Sequence, residues 1–255
     1  MTNFRRTLIL AIFALTCICV AAQTPAPVVV ELFTSEGCSS CPPADDFLRT
    51  LDATQPVAGV RLIVLGEHVD YWDDQGWKDK YSDHNFTVCQ QNYADKLKLK
   101  SSYTPQMVID GAVESSGNDR QRASQAFENA RTQPKVNLQI SSMKLENGVL
   151  RAHIESGPVP ASADVFVALA LDHAESQVLH GENGGHHLEH VAIARTFVKA
   201  GKASKGTAFA GDVKLKAHPS DGPYRLIAFV QEPNQGKIVG AAVQSLGTEK
   251  LHQGN

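Results

Sequence analysis

Apolar positions along the chain follow two different rhythms, and the change falls near residue 135. The run Val28-Val29-Val30-Glu31-Leu32-Phe33 is β-branched and almost continuously apolar, which predicts a buried central strand. Ala44, Leu48 and Leu51 then keep helical spacing as far as about Thr54, before Pro56, and Val60–Leu65 is a second buried strand. Strand, helix and strand at this spacing predict a βαβ unit with parallel strands. Farther on, Phe86, Cys89, Tyr93 and Leu97 share one helical face. Thr104-Pro105 introduces the strand Gln106–Ile109, Asp110-Gly111 is a hairpin turn, and Ala112–Glu114 returns. Asn118, with Gln121 three residues on, has the form of a capping box for a helix carrying Ala123, Ala126, Phe127 and Ala130, which Pro134 closes.

From Lys135 the pattern becomes one of short strands. Val136, Leu138 and Ile140 alternate with polar residues, and Val149–Ile154, Val165–Leu171, Val191–Phe197, Tyr224–Val230 and Ile238–Val243 follow between Gly, Pro and Asn. The expectation is an α/β domain over 24–134 followed by a mainly antiparallel β-sandwich over 135–250, with 251–255 a frayed tail.

The first 22 residues belong to neither unit. Arg5 and Arg6 precede an apolar run, Leu8–Val20, and Val20-Ala21-Ala22 then supplies small residues before Gln23. This is the order of a secretory signal peptide cut after Ala22. The run falls short of the roughly 20 residues that span a bilayer. The expectation is a periplasmic or secreted protein with no membrane attachment once the signal is removed.

Composition narrows the function. At 42% hydrophobic and 20% charged, with a formal charge of −3, the chain is an ordinary globular one without the basic surface that nucleic acid requires. Of five cysteines, two leave with the signal, and three are too few for a disulfide scaffold. What matters is the spacing in Cys38-Ser39-Ser40-Cys41. Placed where a strand meets a helix, Cys38 precedes the first turn, whose free N–H groups and positive dipole end favour thiolate over thiol. Cys41 lies one helical step on, with its sulfur in bonding range. Cys38 is then the attacking thiolate and Cys41 the resolving one, in exchange through a mixed disulfide.

The strand, the C-x-x-C, the helix and the later Thr104-Pro105 and Asp110-Gly111 resemble the thioredoxin superfamily. That resemblance implies a thioredoxin-like fold for 24–134. It also implies a cis Pro105 lying against the cysteine pair, and a buried carboxylate, Glu31, able to take the Cys41 proton. Longer stretches are similar to a secreted bacterial family known as domain of unknown function 1223: residues 30–45, His68-Val69-Asp70-Tyr71-Trp72-Asp73, Gly76-Trp77-Lys78-Asp79, residues 103–111, Gly181-Glu182-Asn183 and Gly240-Ala241-Ala242. This second resemblance supplies an architecture without a reaction.

Other residues are candidates by position. The loop from His68 leaves the carboxyl end of a parallel strand, the edge where ligands of open α/β sheets bind. His68 and Asp70 are candidates for steering protons near the sulfur, and Trp72, Trp77 and Thr104 for lining a substrate groove. Cys89 reads as a buried core thiol. His186 and His190 would be one turn apart on a helix and able to hold zinc, although Gly184 and Gly185 argue for a polar loop instead.

The function expected is extracytoplasmic thiol–disulfide exchange. It needs no organic cofactor beyond the redox-active Cys38–Cys41 disulfide. Its partners are protein thiols and disulfides outside the cytoplasm, together with a redox partner that resets the pair. The alternative is a secreted, non-catalytic binding module, in which C-x-x-C is structural or metal-binding and the sandwich recognises a protein or a metal.

Overall fold

The computed structural model describes residues 24–217 and 222–246, so both the signal segment 1–22 and the tail 251–255 lie outside the described residues. In chain order the elements are β1 (Ala26–Thr34), α1 (Pro42–Thr54), β2 (Val60–His68), α2 (His84–Leu97), β3 (Gln106–Ile109), β4 (Val113–Ser116), α3 (Arg120–Arg131), β5 (Leu138–Glu146), β6 (Val149–Ser156), β7 (Ala163–Gln177), β8 (His187–Ala203), β9 (Phe209–Lys216), β10 (Tyr224–Gln231) and β11 (Ile238–Ser245).

These strands do not sort into a thioredoxin-like domain followed by a β-sandwich, and that expectation is corrected. Eight of them form one mixed sheet, in the order β11-β10-β7-β8-β2-β1-β3-β4, and β5-β6-β9 form a separate antiparallel sheet. The reason is the free edge of β2. This strand is buried along nearly its whole length, with only Arg61 exposed, and an apolar strand with an unpaired edge invites aggregation. β8 covers that edge, pairing Ile193 in parallel with Gly66. A Cβ at Gly66 would sit 3.3 Å from the Val191 carbonyl oxygen, so a residue without a side chain lets the two backbones approach. The covering strand and its partner are long: β7 has 15 residues and β8 has 17, antiparallel to each other from Ala163↔Ala203 to Gln177↔His187.

Helix α1 is amphipathic and buries Ala44, Phe47, Leu48 and Leu51. Strand periodicity divides β1 between the two faces of the sheet. Thr34 bonds to Asp45 of α1, whereas Phe33 packs edge-on against Tyr93 of α2 with ring centroids 6.0 Å apart. Helix α2 is capped by Asp83, whose carboxylate accepts from the Asn85 N–H. Helix α3 is capped by Asp119, accepting from the Arg122 N–H, so the cap lies one residue beyond the Asn118 box that the sequence suggests.

The β3–β4 turn docks on the β10–β11 turn. The Ile238 N–H donates to the Asp110 carbonyl at 2.8 Å. The Asp110 carboxylate accepts from the Val29 N–H at 3.0 Å and from Lys135 Nζ at 2.5 Å. Gly111 has φ +62, and a Cβ there would collide with the Gly236 carbonyl. Gly111→Ala therefore combines a left-handed backbone with overpacking. It is expected to lower unfolding free energy by at least about 2 kcal/mol, measured by denaturant titration.

Candidate functional site

Cys38 and Cys41 form a disulfide, with their Cα atoms 5.4 Å apart. The turn Ser35–Cys38 leads in, the Cys41 N–H donates to the Cys38 carbonyl at 3.1 Å, and Cys41 is the N-cap residue of α1. Pro42 and Pro43 occupy the first turn, where a missing N–H costs nothing. The Cys41 amide is thus already committed to a carbonyl. The group beside the Cys38 sulfur is instead the Ser40 hydroxyl, with Oγ 3.3 Å from Sγ.

Thr104 and Pro105 stand against the same loop. Their peptide bond is cis, and the Thr104 carbonyl accepts from Ser40 Oγ at 3.5 Å. The Thr104 hydroxyl accepts from Trp72 Nε1 at 2.8 Å, and Trp72 packs on the cysteine turn at Gly37. The structure therefore brings Trp72, Thr104 and Pro105 together around the cysteines. Tyr71 and Tyr103 flank them, 39% and 37% exposed.

A cover comes from the second half of the chain. The Glu182 carboxylate accepts from the Ser39 N–H at 3.1 Å and from Ser39 Oγ at 2.6 Å. Asn183 Nδ2 donates to the carbonyls of Glu36 (2.9 Å) and Cys38 (3.0 Å). Both cysteines have 0% exposure, while Ser39 and Ser40 face solvent.

Beneath the disulfide lies a buried acid–histidine network. Trp77 Nε1 donates to Glu36 at 2.7 Å, and His190 lies 3.5 Å from Glu36 and 3.9 Å from Asp45. Thr34 donates to Asp45, one turn beyond Cys41 on α1. His68 pairs with Asp79 at 2.6 Å, and Asp79 also accepts from the backbone N–H groups of Glu36 and Tyr81. The His68 and His190 rings meet edge-on at 4.8 Å. Burial pushes the Asp45 carboxyl up to about 7 against the pull of His190 and Thr34. Burial also raises Glu36 and Asp79, but the nearby His190 and Ser176 side chains and the Trp77 N–H bring Glu36 below its ordinary value. The charge and bond of His68, with two backbone donors, hold Asp79 at about 2.

Glu31, Asp70 and His186 sit elsewhere. Glu31 lies on the α2 face of β1, accepting from the Tyr93 hydroxyl at 2.7 Å, away from the α1 face. It stands three residues before Thr34 on β1, an odd number, so strand alternation turns it to the face opposite Asp45. The buried carboxylates on the cysteine side are Glu36, Asp45 and Asp79, of which Asp45 is the one raised by burial. Asp70 bonds to Thr87 and His84 near the start of α2. His186 and His190 do not form a helical pair, because β8 begins at His187. His186 is exposed and His190 is buried in the network. Neither histidine belongs to a group of three converging ligands among the described residues. Sequence reading missed Ser40, Glu182, Asn183 and the partnership of His190 with Glu36 and Asp45. The only signal for them was Gly181-Glu182-Asn183.

The network sets a pH dependence. Asp45 binds its proton more tightly folded than unfolded, so the stability it contributes is full below about pH 4 and is lost as pH rises through about 7. The size is up to about 4 kcal/mol. Wild type is expected to lose stability between pH 5 and 8 in denaturant titrations, and Asp45→Asn to flatten that slope, with Glu31 contributing a remainder of the same sign. Asp79 acts oppositely, stabilising above its unfolded value and failing as pH falls through about 2.

A family model described as a protein of unknown function, DUF1223, matches residues 29–231. No curated protein matches. Among solved structures, an Agrobacterium tumefaciens protein from a structural genomics programme is 27% identical, with a TM-score of 0.68, covering 92% of this chain and all of that one. The Bacillus subtilis sporulation control protein Spo0M shares 10% identity over 44% of this chain and 47% of its own, with a TM-score of 0.30, too low to carry an argument. With a disulfide held between its two halves and a family model matching through both, the chain belongs to the DUF1223 family.

Proposed function

We propose that the protein is an extracytoplasmic thiol–disulfide oxidoreductase working through Cys38 and Cys41. The observation that supports this best is the setting of the pair. The disulfide stands at the start of α1, with the Ser40 hydroxyl beside the Cys38 sulfur and Thr104-Pro105 on the same loop. The proposal takes from the thioredoxin resemblance the chemistry of the pair and not the overall fold. The extracytoplasmic setting rests on residues 1–22. No helix among the described residues is long and apolar enough to cross a membrane.

In the oxidising direction a substrate thiolate attacks Cys38 Sγ, and the Cys38–Cys41 bond breaks. Cys41 leaves as thiolate and takes a proton, for which Asp45, near-neutral and one turn along the same helix, is the candidate donor. A second substrate thiolate then attacks the substrate sulfur of the mixed disulfide and releases Cys38. The substrate dithiol becomes a disulfide and the enzyme disulfide a dithiol. The reverse sequence reduces a substrate. Trp72, Thr104 and the exposed Tyr71 and Tyr103 are the surface for an extended segment of the partner protein.

One observation favours a second reading. Neither sulfur is exposed, as befits a structural disulfide in a binding module. Equilibration in glutathione buffers, followed by alkylation and mass spectrometry with Cys41→Ser as control, separates the two. The exchange reading expects the couple to titrate between about −120 and −270 mV, and a pair still oxidised below about −300 mV overturns it. If the Glu182 contact to Ser39 acts as a latch, Glu182→Ala is expected to react with dithiothreitol several-fold faster at an unchanged potential. An unchanged rate removes the latch.

A further inference from the structure

Across the sheet from the disulfide, β1, β2 and α2 bring together Glu31, Glu67 and Cys89, which are 1%, 0% and 8% exposed. One ligand atom from each lies within 4.8 Å of the other two. Glu31 has a partner in the Tyr93 hydroxyl, which in turn accepts from Gln231 Nε2 at 2.8 Å. Glu67 is less well provided: neither buried carboxylate oxygen meets a regular hydrogen-bond donor, and its side-chain neighbours are the Glu31 carboxyl and the Cys89 thiol. A fully buried carboxyl with neither oxygen satisfied costs several kcal/mol, a penalty that natural cores rarely leave uncompensated. Among the described residues no Lys, Arg or His forms an ion pair with Glu67. Lys135 is engaged by Asp110, and Asp110 adds its own negative field at Glu31.

We propose that Glu31, Glu67 and Cys89 are the ligands of a zinc-class divalent cation. The donor set selects the metal class. A thiolate beside two carboxylates suits the borderline-soft ions zinc and cobalt, whereas calcium and magnesium take oxygen ligands. Metal–ligand bonds of about 2.0–2.3 Å put tetrahedral donors roughly 3.5 Å apart, so the three atoms need only side-chain rotation inward. A fourth position is within reach of the β10–β11 turn. There the Gln235 amide nitrogen lies 3.6 Å from Cys89 Sγ, and turning the amide over presents its oxygen instead. Gln235 is half-buried.

Without a metal the three groups hold their protons more tightly than they would in water. Burial raises all three groups, with Glu31 at about 7, and the Glu31 charge adds to the rise at Glu67. The ion replaces those protons: the thiol and the carboxyls release them to solvent as the sulfur–metal and oxygen–metal bonds form, and no electron is transferred. The site is independent of thiol–disulfide exchange, since none of its ligands belongs to the Cys38–Cys41 face.

The test uses the mature protein carrying Cys38→Ser and Cys41→Ser, which leaves Cys89 as its only thiol. Cobalt(II) titration is expected to saturate at one equivalent with a thiolate-to-cobalt charge-transfer band, which zinc then displaces. Cys89→Ser should abolish the band, and Glu67→Gln should weaken binding by about 100-fold. Circular dichroism and thermal melts of both variants without metal check that they fold, and zinc should raise the melting temperature only where the three ligands are intact. The proposal is overturned if no band forms at one equivalent, which would leave the carboxyls as a protonated pair. It is equally overturned if folded Cys89→Ser or Glu67→Gln binds as the parent does.

Discussion

Closure of the β2 edge by β8 is the constraint on which the rest of the molecule hangs. Once Ile193 pairs with Gly66, the chain leading into β8 must run past the carboxyl ends of β1 and β2, where the cysteine loop lies. Glu182 and Asn183 thereby reach Ser39, Glu36 and Cys38, and His190 enters between Glu36 and Asp45. Without that edge pairing the disulfide would have no cover, and Glu36 and Asp45 would lack the histidine beside them.

The alternation of strands then separates two polar clusters inside one sheet. On β2 the neighbours Glu67 and His68 point to opposite faces: His68 joins Asp79 and His190 below the disulfide, and Glu67 joins Glu31 and Cys89 below α2. The clusters differ in how their charge is balanced. On the α1 face histidines, a tryptophan and backbone N–H groups surround the carboxylates, so Glu36 and Asp79 are held below their ordinary values. On the α2 face burial dominates: the Tyr93 hydroxyl and the contacts of Glu31, Glu67 and Cys89 with one another do not offset it, and both carboxyls are raised. The α1 face therefore keeps Glu36 and Asp79 low beside a raised Asp45, whereas on the α2 face both carboxyls are raised.

Much of this was written locally. The apolar run of β1, the helical spacing of Ala44, Leu48 and Leu51, the Asp110-Gly111 turn and the C-x-x-C at a strand–helix junction each depend on residues close together in the chain, so pattern alone located them. Cys38, Cys41, Thr104, Pro105 and Trp72 are gathered by the structure into one place. Short-range pattern also placed His187–His190 in a polar loop, because nothing within a few residues reveals that a strand edge more than a hundred residues away needs covering.

The amino-acid sequence by itself determined where the strands and helices of the first half lie and which two sulfurs are spaced to bond. Both follow from periodicity and from reach along a few covalent bonds. Only the tertiary structure decided that the two halves share one sheet, that Asp45 and not Glu31 accompanies the cysteines, and that Glu31, Glu67 and Cys89 meet. Each of these depends on strand pairing and on the face a side chain takes, and a shift of a single residue reverses that face.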